Sequence, residues 1–425
     1  MSFMKKSAAG LVLTASALAA STAFAAGFQL TEQSSLGLGR AYAGAGIVGD
    51  DLSAVHYNPA GMTLLPGTQI QAGTVYIDVD AEYSGNDGAE NNGRMKGQFI
   101  PTGYTTYQVN DKLWLGFGMT VPFGMGTEYG RGWEENTSGT SAKIYTFDMN
   151  PSFAYKISDF ISIGAGISVQ YAKAHLGQAA SVEVPNVQIP LSTHGKVEGD
   201  SWDWGFNFGI MISPTDTMRF GLAYRSSIEH NAEGHTKFTG QALQALGQAS
   251  YISEMETTIE TPATVMLTGT WEATPDLRLS GLIRWAEWSN FDTLTLEHDT
   301  LTVPGVVSVP LTTEIENKWQ DTWLFSVGAD YRINDTWTVR GGIAYETGAV
   351  DDEKYRVAVI PDTDRLWLSL GASYHWSKKL QFDVAATMLK GIGNRDLYEY
   401  GTDTKAGEYD NLDCYILGAQ MQYRF

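Results

Sequence analysis

From about residue 67 to the end of the chain, apolar and polar residues alternate with a period of two. In the run 161–171, isoleucine, alanine, valine and tyrosine at odd positions alternate with serine, glycine and glutamine at even positions. The same alternation recurs in the runs 202–210, 218–225, 337–346 and 415–425. Because successive side chains of a β-strand point to opposite faces, this pattern predicts strands with one apolar and one polar face.

The length of these runs favours a membrane barrel over a soluble β-sandwich. Strands of soluble proteins average ~5–6 residues, whereas a tilted strand that crosses a membrane needs ~9–11. Aromatic residues also stand near the ends of the apolar faces, as at Trp202, Trp337 and Trp376, where a membrane interface would place them. About fourteen such segments can be counted. We therefore predict an all-β fold, a transmembrane antiparallel β-barrel of about 14 strands.

Two N-terminal stretches do not fit the barrel pattern. Residues 1–25 combine the basic pair Lys5-Lys6 with a short apolar run and the small-residue site Ala23-Phe24-Ala25, which predicts a cleaved signal peptide and export. Residues 26–66 are rich in glycine and contain no run long enough to cross a membrane. We expect residues 26–66 to form a hatch, or plug, inside the lumen of a barrel formed by residues 67–425, located in a bacterial outer membrane.

The composition and the spacing of residues argue against several functions for this protein. A formal charge of -20 argues against nucleic acid, because phosphate binding requires clustered lysine and arginine. Asp50, Asp51 and His56 lie close together in sequence, but no motif supplies a nucleophile with an oriented base, so we expect no enzyme. The seven histidines are scattered singly, and we expect neither a metal nor a cofactor. A general porin predicts an open lumen, which the insert 26–66 disfavours.

Five stretches carry a resemblance to a known family. They are 26–30 (AGFQL), 37–42 (GLGRAY), 50–51 (DD), 58–60 (NPA) and 360–365 (IPDTDR). The chain resembles the FadL family of outer-membrane long-chain fatty acid transporters along its whole mature length. The resemblance implies a monomeric fourteen-strand barrel, an internal hydrophobic pocket, and passive transport that ends with lateral diffusion into the membrane through an opening beside a kinked third strand.

The predicted lateral opening falls in the third strand, which starts near Lys112. This strand contains Pro122, Phe123, Gly124, Met125 and Gly126. Proline cannot donate a ladder hydrogen bond and glycine weakens strand pairing, so a gap in the wall is physically reasonable here. The alternative is a loop that simply begins at this point.

The motif Asn58, Pro59 and Ala60 is the candidate for holding or hinging the hatch. The alternative is a rigid structural turn.

The family's inner pocket binds a carboxylate with an arginine on the fifth strand and a lysine on the tenth, and ungapped reading places Gln178 and Gln320 at those positions. Lys318 lies two residues from Gln320, so regular alternation would turn it into the lumen as a replacement cation. We assign Phe28, Gln178, Lys318 and Gln320 to ligand binding. Two interpretations remain: a fatty acid with a shifted head-group ligand, or a neutral hydrophobe such as an aromatic hydrocarbon. The expected partners are thus hydrophobic small molecules and outer-membrane lipid.

Overall fold

The computed structural model describes most of the chain after the predicted signal peptide. The described residues are 27–86, 90–92, 97–129, 133, 139–182, 191–245, 247–301, 309–359 and 361–425. The predicted signal peptide, residues 1–25, lies outside them.

Fourteen antiparallel strands form a closed barrel, which confirms the predicted fold class. We number them along the chain, and five of them consist of two segments. The strands are 1 (Thr68–Gly85), 2 (Gln98–Gln108), 3 (Leu113–Thr120 and Gly124–Glu128), 4 (Ser141–Lys156), 5 (Ile161–Val182), 6 (Leu191–Thr215), 7 (Met218–Arg225 and Ile228–Gly240), 8 (Ser250–Thr261 and Thr264–Glu272), 9 (Leu277–Ala286 and Thr293–Leu301), 10 (Val309–Glu316 and Thr322–Arg332), 11 (Trp337–Glu346), 12 (Arg365–His375), 13 (Leu380–Gly391) and 14 (Lys405–Arg424). Strand 14 pairs with strand 1 from Gln69 opposite Arg424 to Gly85 opposite Gly407, so the wall closes on itself.

The remaining elements are short. Two strand segments, Glu90–Asn92 and Asp396–Tyr398, pair with strands 1 and 14. The helices are Ser35–Leu38, Ala54–Tyr57 and Gln241–Ala245, with 3-10 turns at Pro59–Leu64, Trp288–Asn290 and Glu353–Tyr355. No helix in the described part of the chain is long and apolar enough to cross a membrane.

The wall has an apolar outer face and a mixed inner face. On strand 10, Trp323, Phe325 and Val327 are exposed on the outside, whereas Leu324 and Ser326 between them are buried. An outer band of this kind, with aromatic residues near its ends, matches the hydrocarbon layer and its interfaces. The period of two in the sequence therefore reports the two environments of each strand.

Strands 5 to 10 extend well beyond the membrane. The stretches 179–199 and 232–256 have the mixed, polar composition of loops, but residues 179–182, 191–199, 232–240 and 250–256 within them are paired strand. Glu233 lies directly opposite Glu256, which lies opposite Glu297 on the next strand. Such a row of like charges requires water, so these hairpins stand above the hydrocarbon. Their outer face is polar, whereas Met255, Leu294 and Leu296 are buried on the inner face. For that reason their composition resembles that of loops.

Residues 27–65, which we call the N-terminal segment, are almost entirely buried inside the barrel. Hydrogen bonds join the segment to strands all around the wall. The Gly44 N–H donates to the Gly281 carbonyl (3.2 Å), and the Trp114 indole donates to the Leu65 carbonyl (2.9 Å). The lumen is therefore filled by the chain's own first residues.

We expect Val327→Lys to destabilise the barrel by about 2–4 kcal/mol, because its side chain lies midway along the apolar band of strand 10. Unfolding by urea in lipid vesicles measures this change. Ile333→Lys, in the exposed turn after strand 10, is the control and should cost about 0–1 kcal/mol. Equal costs for the two variants would contradict the assigned membrane position.

Candidate functional site

The ladder between strands 2 and 3 stops part of the way up the wall. Its last pair is Gly103 opposite Met119. Beyond this pair, the second segment of strand 3, Gly124–Glu128, pairs only with strand 4 among the described residues. Strand 3 is interrupted at 121–123, where three residues face two of strand 4. The result is a break in the wall at the proline and glycines where the sequence predicted an opening.

The N-terminal segment takes the hydrogen bonds that strand 2 does not make. The Leu30 N–H donates to the Pro122 carbonyl (2.8 Å), and the Gly124 N–H donates to the Phe28 carbonyl (3.0 Å). The amide side chain of Gln33 forms two more, of 2.7 and 3.2 Å, with the backbone of the residue before Pro122. The first described residues of the segment and the interrupted strand 3 thus close the break together.

A group of rings that we call the aromatic cluster surrounds the start of the segment. It consists of Phe28, Phe123, Trp288, Phe291 and Trp319. The Phe28 ring lies 4.8 Å from that of Trp288 and 5.7 Å from that of Phe291, both in edge-to-face orientation. A Cβ on Gly27 would come within 2.6 Å of both tryptophans, so the chain can enter this space only as glycine. Phe28 therefore fills an aromatic pocket next to the break.

Interruptions in two neighbouring strands place the tryptophans of this cluster. Trp288 begins the 3-10 turn between the segments of strand 9, and Trp319 lies between the segments of strand 10. Sequence reasoning missed both residues, because it read each strand as continuous. The only signal in the sequence for such a position was that each tryptophan lies outside a regular alternating run.

The same interruption contradicts the expected orientation of Lys318. This residue has a positive φ of 49° and its side chain is about half exposed, whereas Trp319 is buried. The Lys318 ammonium lies 2.8 Å from the Glu316 carboxylate and 2.6 Å from the Tyr355 hydroxyl. Gln320 is also exposed. The inference that Lys318 faces the lumen was wrong, because the alternation reverses between the two segments of strand 10. Even-numbered residues are exposed up to Gln320, whereas Thr322 and Leu324 are buried.

Of the other predicted ligand residues, Phe28 lies in the aromatic cluster, and Gln178 is buried on strand 5.

The Asn58-Pro59-Ala60 motif is held against the wall by a patch of glycines. The Asn58 amide donates to the Ile210 carbonyl of strand 6 (3.1 Å) and accepts from the Ala60 N–H (3.1 Å). A Cβ on Gly209 would lie 2.0 Å from the Asn58 Oδ1, and one on Gly164 would lie 2.5 Å from the Ala60 nitrogen. The motif therefore docks on a surface that has been kept free of side chains.

Buried ion pairs fix the segment at the end of the barrel with short turns. The Arg40 guanidinium lies 2.8 Å from Asp50 and 3.3 Å from Asp330. Arg340 approaches Asp330 to 2.9 Å, and Arg278 approaches Asp50 to 3.2 Å. This network of three arginines and two aspartates joins the segment to strands 9, 10 and 11.

A second set of polar contacts lies deeper in the lumen. Arg284 contacts Glu346 (2.8 Å) and also donates to the Thr31 hydroxyl (2.7 Å). Arg225 donates to the His56 carbonyl (3.0 Å). Burial, followed by the charge of Arg225, lowers the pKa of His56 well below its usual value, so this imidazole is neutral.

The acidic pair in the segment has a structural role. Asp51 accepts from the Ser34 hydroxyl and, at 2.6 Å, from the Ser53 N–H. The Gln420 side chain of strand 14 accepts from the N–H groups of Ser35 (2.8 Å) and Leu36 (3.1 Å). These contacts satisfy the first turn of a short helix.

A cavity of about 50 Å³ extends from Pro122 and Phe123 across the lumen to Arg225 and Met266. Its volume is well below the ~150 Å³ of a cavity that holds benzene. A ligand of the size of benzene therefore fits this cavity only if residues of its lining, such as Leu30 and Phe123, move.

Within the described ranges, no three His, Cys, Asp or Glu side chains are grouped in a way that could hold a metal ion. Cys414 is buried and carries a free thiol.

Comparison with known proteins agrees with this geometry. The family described as Outer membrane protein transport protein (OMPP1/FadL/TodX) matches residues 16–425. Outer membrane protein P1 of Haemophilus influenzae is 31% identical over 91% of both chains, and the long-chain fatty acid transport protein of Escherichia coli K12 is 26% identical over 96% of both. A crystal structure of a Pseudomonas aeruginosa FadL homologue is similar with a TM-score of 0.82 and 25% identity, covering 94% of this chain and 100% of that one. These matches confirm the outer-membrane location.

We expect Glu32→Gln to remove a pH dependence of stability. Glu32 is buried in the segment, and burial followed by repulsion from Glu346 raises its pKa from 4.5 to about 7. Because the folded protein holds the proton more tightly than the unfolded chain, stability should fall by at most about 3 kcal/mol as the pH rises from about 4.5 to 7, and should change little above that.

Melting temperatures at pH 5 and pH 8 measure this effect. The variant should show a smaller difference between the two than the wild type, whereas exposed Glu254→Gln should behave as wild type. An unchanged difference in Glu32→Gln would show that Glu32 does not carry the effect.

Proposed function

Because the chain belongs to the outer-membrane transport protein family (OMPP1/FadL/TodX), whose members carry fatty acids or other hydrophobic compounds, we propose that it transports long-chain fatty acids passively. The substrate replaces Phe28 in the aromatic cluster and leaves sideways, through the break beside strand 3, into the hydrocarbon layer. The N-terminal segment acts as the hatch that opens and closes this path.

One observation carries the proposal: the break in the wall is filled by the N-terminal segment and not by a neighbouring strand. In hydrocarbon every backbone polar group must find a partner within the protein. The bonds of Pro122 and Gly124 to the segment meet that need while the path is closed. A movement of three or four residues of the segment, rather than separation of a full ladder, is then sufficient to open the wall.

The height of the break fits an exit into lipid. Nine residues, Leu113 to Val121, lie between the short turn and the break. At a strand tilt of ~40° they climb about 23 Å, which remains within an apolar band ~25 Å tall. An acyl chain that leaves here avoids water, a saving of ~0.8 kcal/mol for each CH₂.

The route straight through the lumen is energetically less favourable. It passes the ion pairs among Arg40, Asp50 and Asp330, and removing one partner of a buried pair costs about 3–5 kcal/mol. The side route breaks neutral hydrogen bonds at a net cost of about 0.5–1.5 kcal/mol each. This difference favours lateral passage.

A second candidate substrate is an aromatic hydrocarbon. The five rings of the aromatic cluster favour it, because edge-to-face contacts with Phe28 would be replaced by equivalent contacts with an aromatic ligand.

Substituting Thr-Val-Thr for Pro122-Phe123-Gly124 should close the side exit. In a strain that lacks its own fatty acid transporter, the wild-type protein should restore oleate uptake. Uptake by this variant should be at least ~tenfold slower, which corresponds to an increase of about 1.4 kcal/mol in the free-energy barrier to transport. Uptake of radiolabelled oleate, beside toluene, is the measurement.

The control for this exchange places the same tripeptide over Pro151-Ser152-Phe153 of strand 4, where the wall is closed. Oleate uptake equal to wild type in the strand 3 variant would refute lateral passage. Uptake of toluene without oleate in the wild type would favour the aromatic substrate.

Asn58→Ala should lower uptake while the barrel still assembles, because it removes the contact between the motif and strand 6 at a cost of about 1 kcal/mol per hydrogen bond. Uptake and the heat-modifiable gel migration of the folded barrel are measured together. Asn150→Ala is the matched control, since that buried amide donates to Ile167 and Asn207 within the wall. Normal uptake in Asn58→Ala would mean that the motif is only a structural turn.

A further inference from the structure

Two buried polar side chains beside the aromatic cluster have no hydrogen-bond partner among the described residues. They are the indole N–H of Trp288 and the complete side-chain amide of Asn317. Trp288 is fully buried and Asn317 is 1% exposed. Leaving a buried polar group unpaired costs about 1–3 kcal/mol, so each of these groups requires an explanation.

The comparison with similar residues of this chain shows that these two are unusual. The buried indoles of Trp114, Trp133 and Trp367 each donate to an oxygen at 2.9 to 3.2 Å. The buried side-chain amides of Asn58, Asn150 and Asn207 all form hydrogen bonds. The fold can therefore satisfy buried groups of both kinds, and it does not do so at the aromatic cluster.

Asn317 lies beside the cluster in both sequence and space. It stands between Ile315 and Trp319, and all three are buried and belong to the same face of the chain. Its backbone N–H donates to the Asp292 carbonyl (2.6 Å), directly after Phe291 of the cluster. The unpaired amide thus stands in the wall that surrounds the Phe28 ring.

The cations that line the neighbouring cavity are already engaged. Arg284 and Arg225 line the cavity next to the cluster, and they contact Glu346 (2.8 Å) and Asp148 (3.6 Å). Lys318 is turned toward Glu316. A carboxylate placed at Asn317 would therefore be buried without a free positive charge, which is strongly unfavourable.

From these observations we infer that Trp288 and Asn317 form the head-group site for an uncharged hydroxyl-type group on the transported hydrophobe. An indole N–H only donates, so it requires an acceptor oxygen, whereas an amide both donates and accepts. A hydroxyl group and an undissociated carboxyl group each combine an acceptor with a donor. The ligand's apolar part replaces the Phe28 ring, and its oxygen forms the hydrogen bonds that the two side chains lack. This inference rests on the proposed function and narrows its substrate class.

The test compares binding to the purified protein in detergent by calorimetry. The probes are 4-ethylphenol, ethylbenzene, and dodecanoic acid at pH 5 and at pH 8. The wild type should bind 4-ethylphenol about tenfold more tightly than ethylbenzene, a factor that corresponds to ~1.4 kcal/mol. Tighter binding of dodecanoic acid at pH 5 than at pH 8 would identify an undissociated acid as a second source of the same group.

Asn317→Leu should reduce the phenol-to-ethylbenzene affinity ratio to near one. Its melting temperature should equal or exceed that of the wild type, because leucine of similar volume replaces an unpaired amide. Trp288→Phe, which keeps a ring and loses the N–H, should also lower the ratio. Asn150→Leu is the control: it removes an amide that is hydrogen-bonded, so it should lower the melting temperature and leave the ratio unchanged.

An unchanged ratio in both site variants would overturn the inference and leave the proposed function standing. A melting temperature of Asn317→Leu as low as that of Asn150→Leu would also overturn it, since the amide would then be paired within the protein. If the wild type binds none of the probes, the proposed function itself fails, and the inference fails with it.

Discussion

Every backbone N–H and C=O at membrane depth must be paired within the protein, and this constraint shapes the whole molecule. Fourteen strands meet it by closing into a ring, with strand 14 paired to strand 1 along almost its entire length. Where the ladder between strands 2 and 3 stops, the requirement remains, and the segment around Phe28 and Leu30 supplies the missing partners. The N-terminal segment and the break in the wall are therefore one feature, because each provides the hydrogen bonds that the other lacks.

The interior combines two kinds of attachment that differ in strength. Charged residues such as Arg40 and Asp330 hold the later part of the segment to the wall, and neutral hydrogen bonds and ring contacts hold its first residues. On the proposed transport route, only the weaker of these two attachments has to be broken.

Periodicity was sufficient to predict the strands, because lipid on one side and the lumen on the other impose opposite chemistry on successive residues. The interruption at Pro122 could also be anticipated, since proline and glycine oppose pairing for local reasons. The orientation of Lys318 could not, because it depends on the interruption of strand 10, where the alternation reverses between Gln320 and Thr322. Trp288 and Trp319 were missed because they lie in the interruptions of strands 9 and 10, which no local signal in the sequence marked.

The contact between Gln420 and the N–H groups of Ser35 and Leu36 has a consequence for biogenesis. It joins the N-terminal segment to strand 14, which closes the barrel by pairing with strand 1. The helix that begins at Ser35 can acquire this partner only after strand 14 has been synthesised. The contact between the segment and strand 14 is therefore formed late in the assembly of the barrel, after the segment itself has been made.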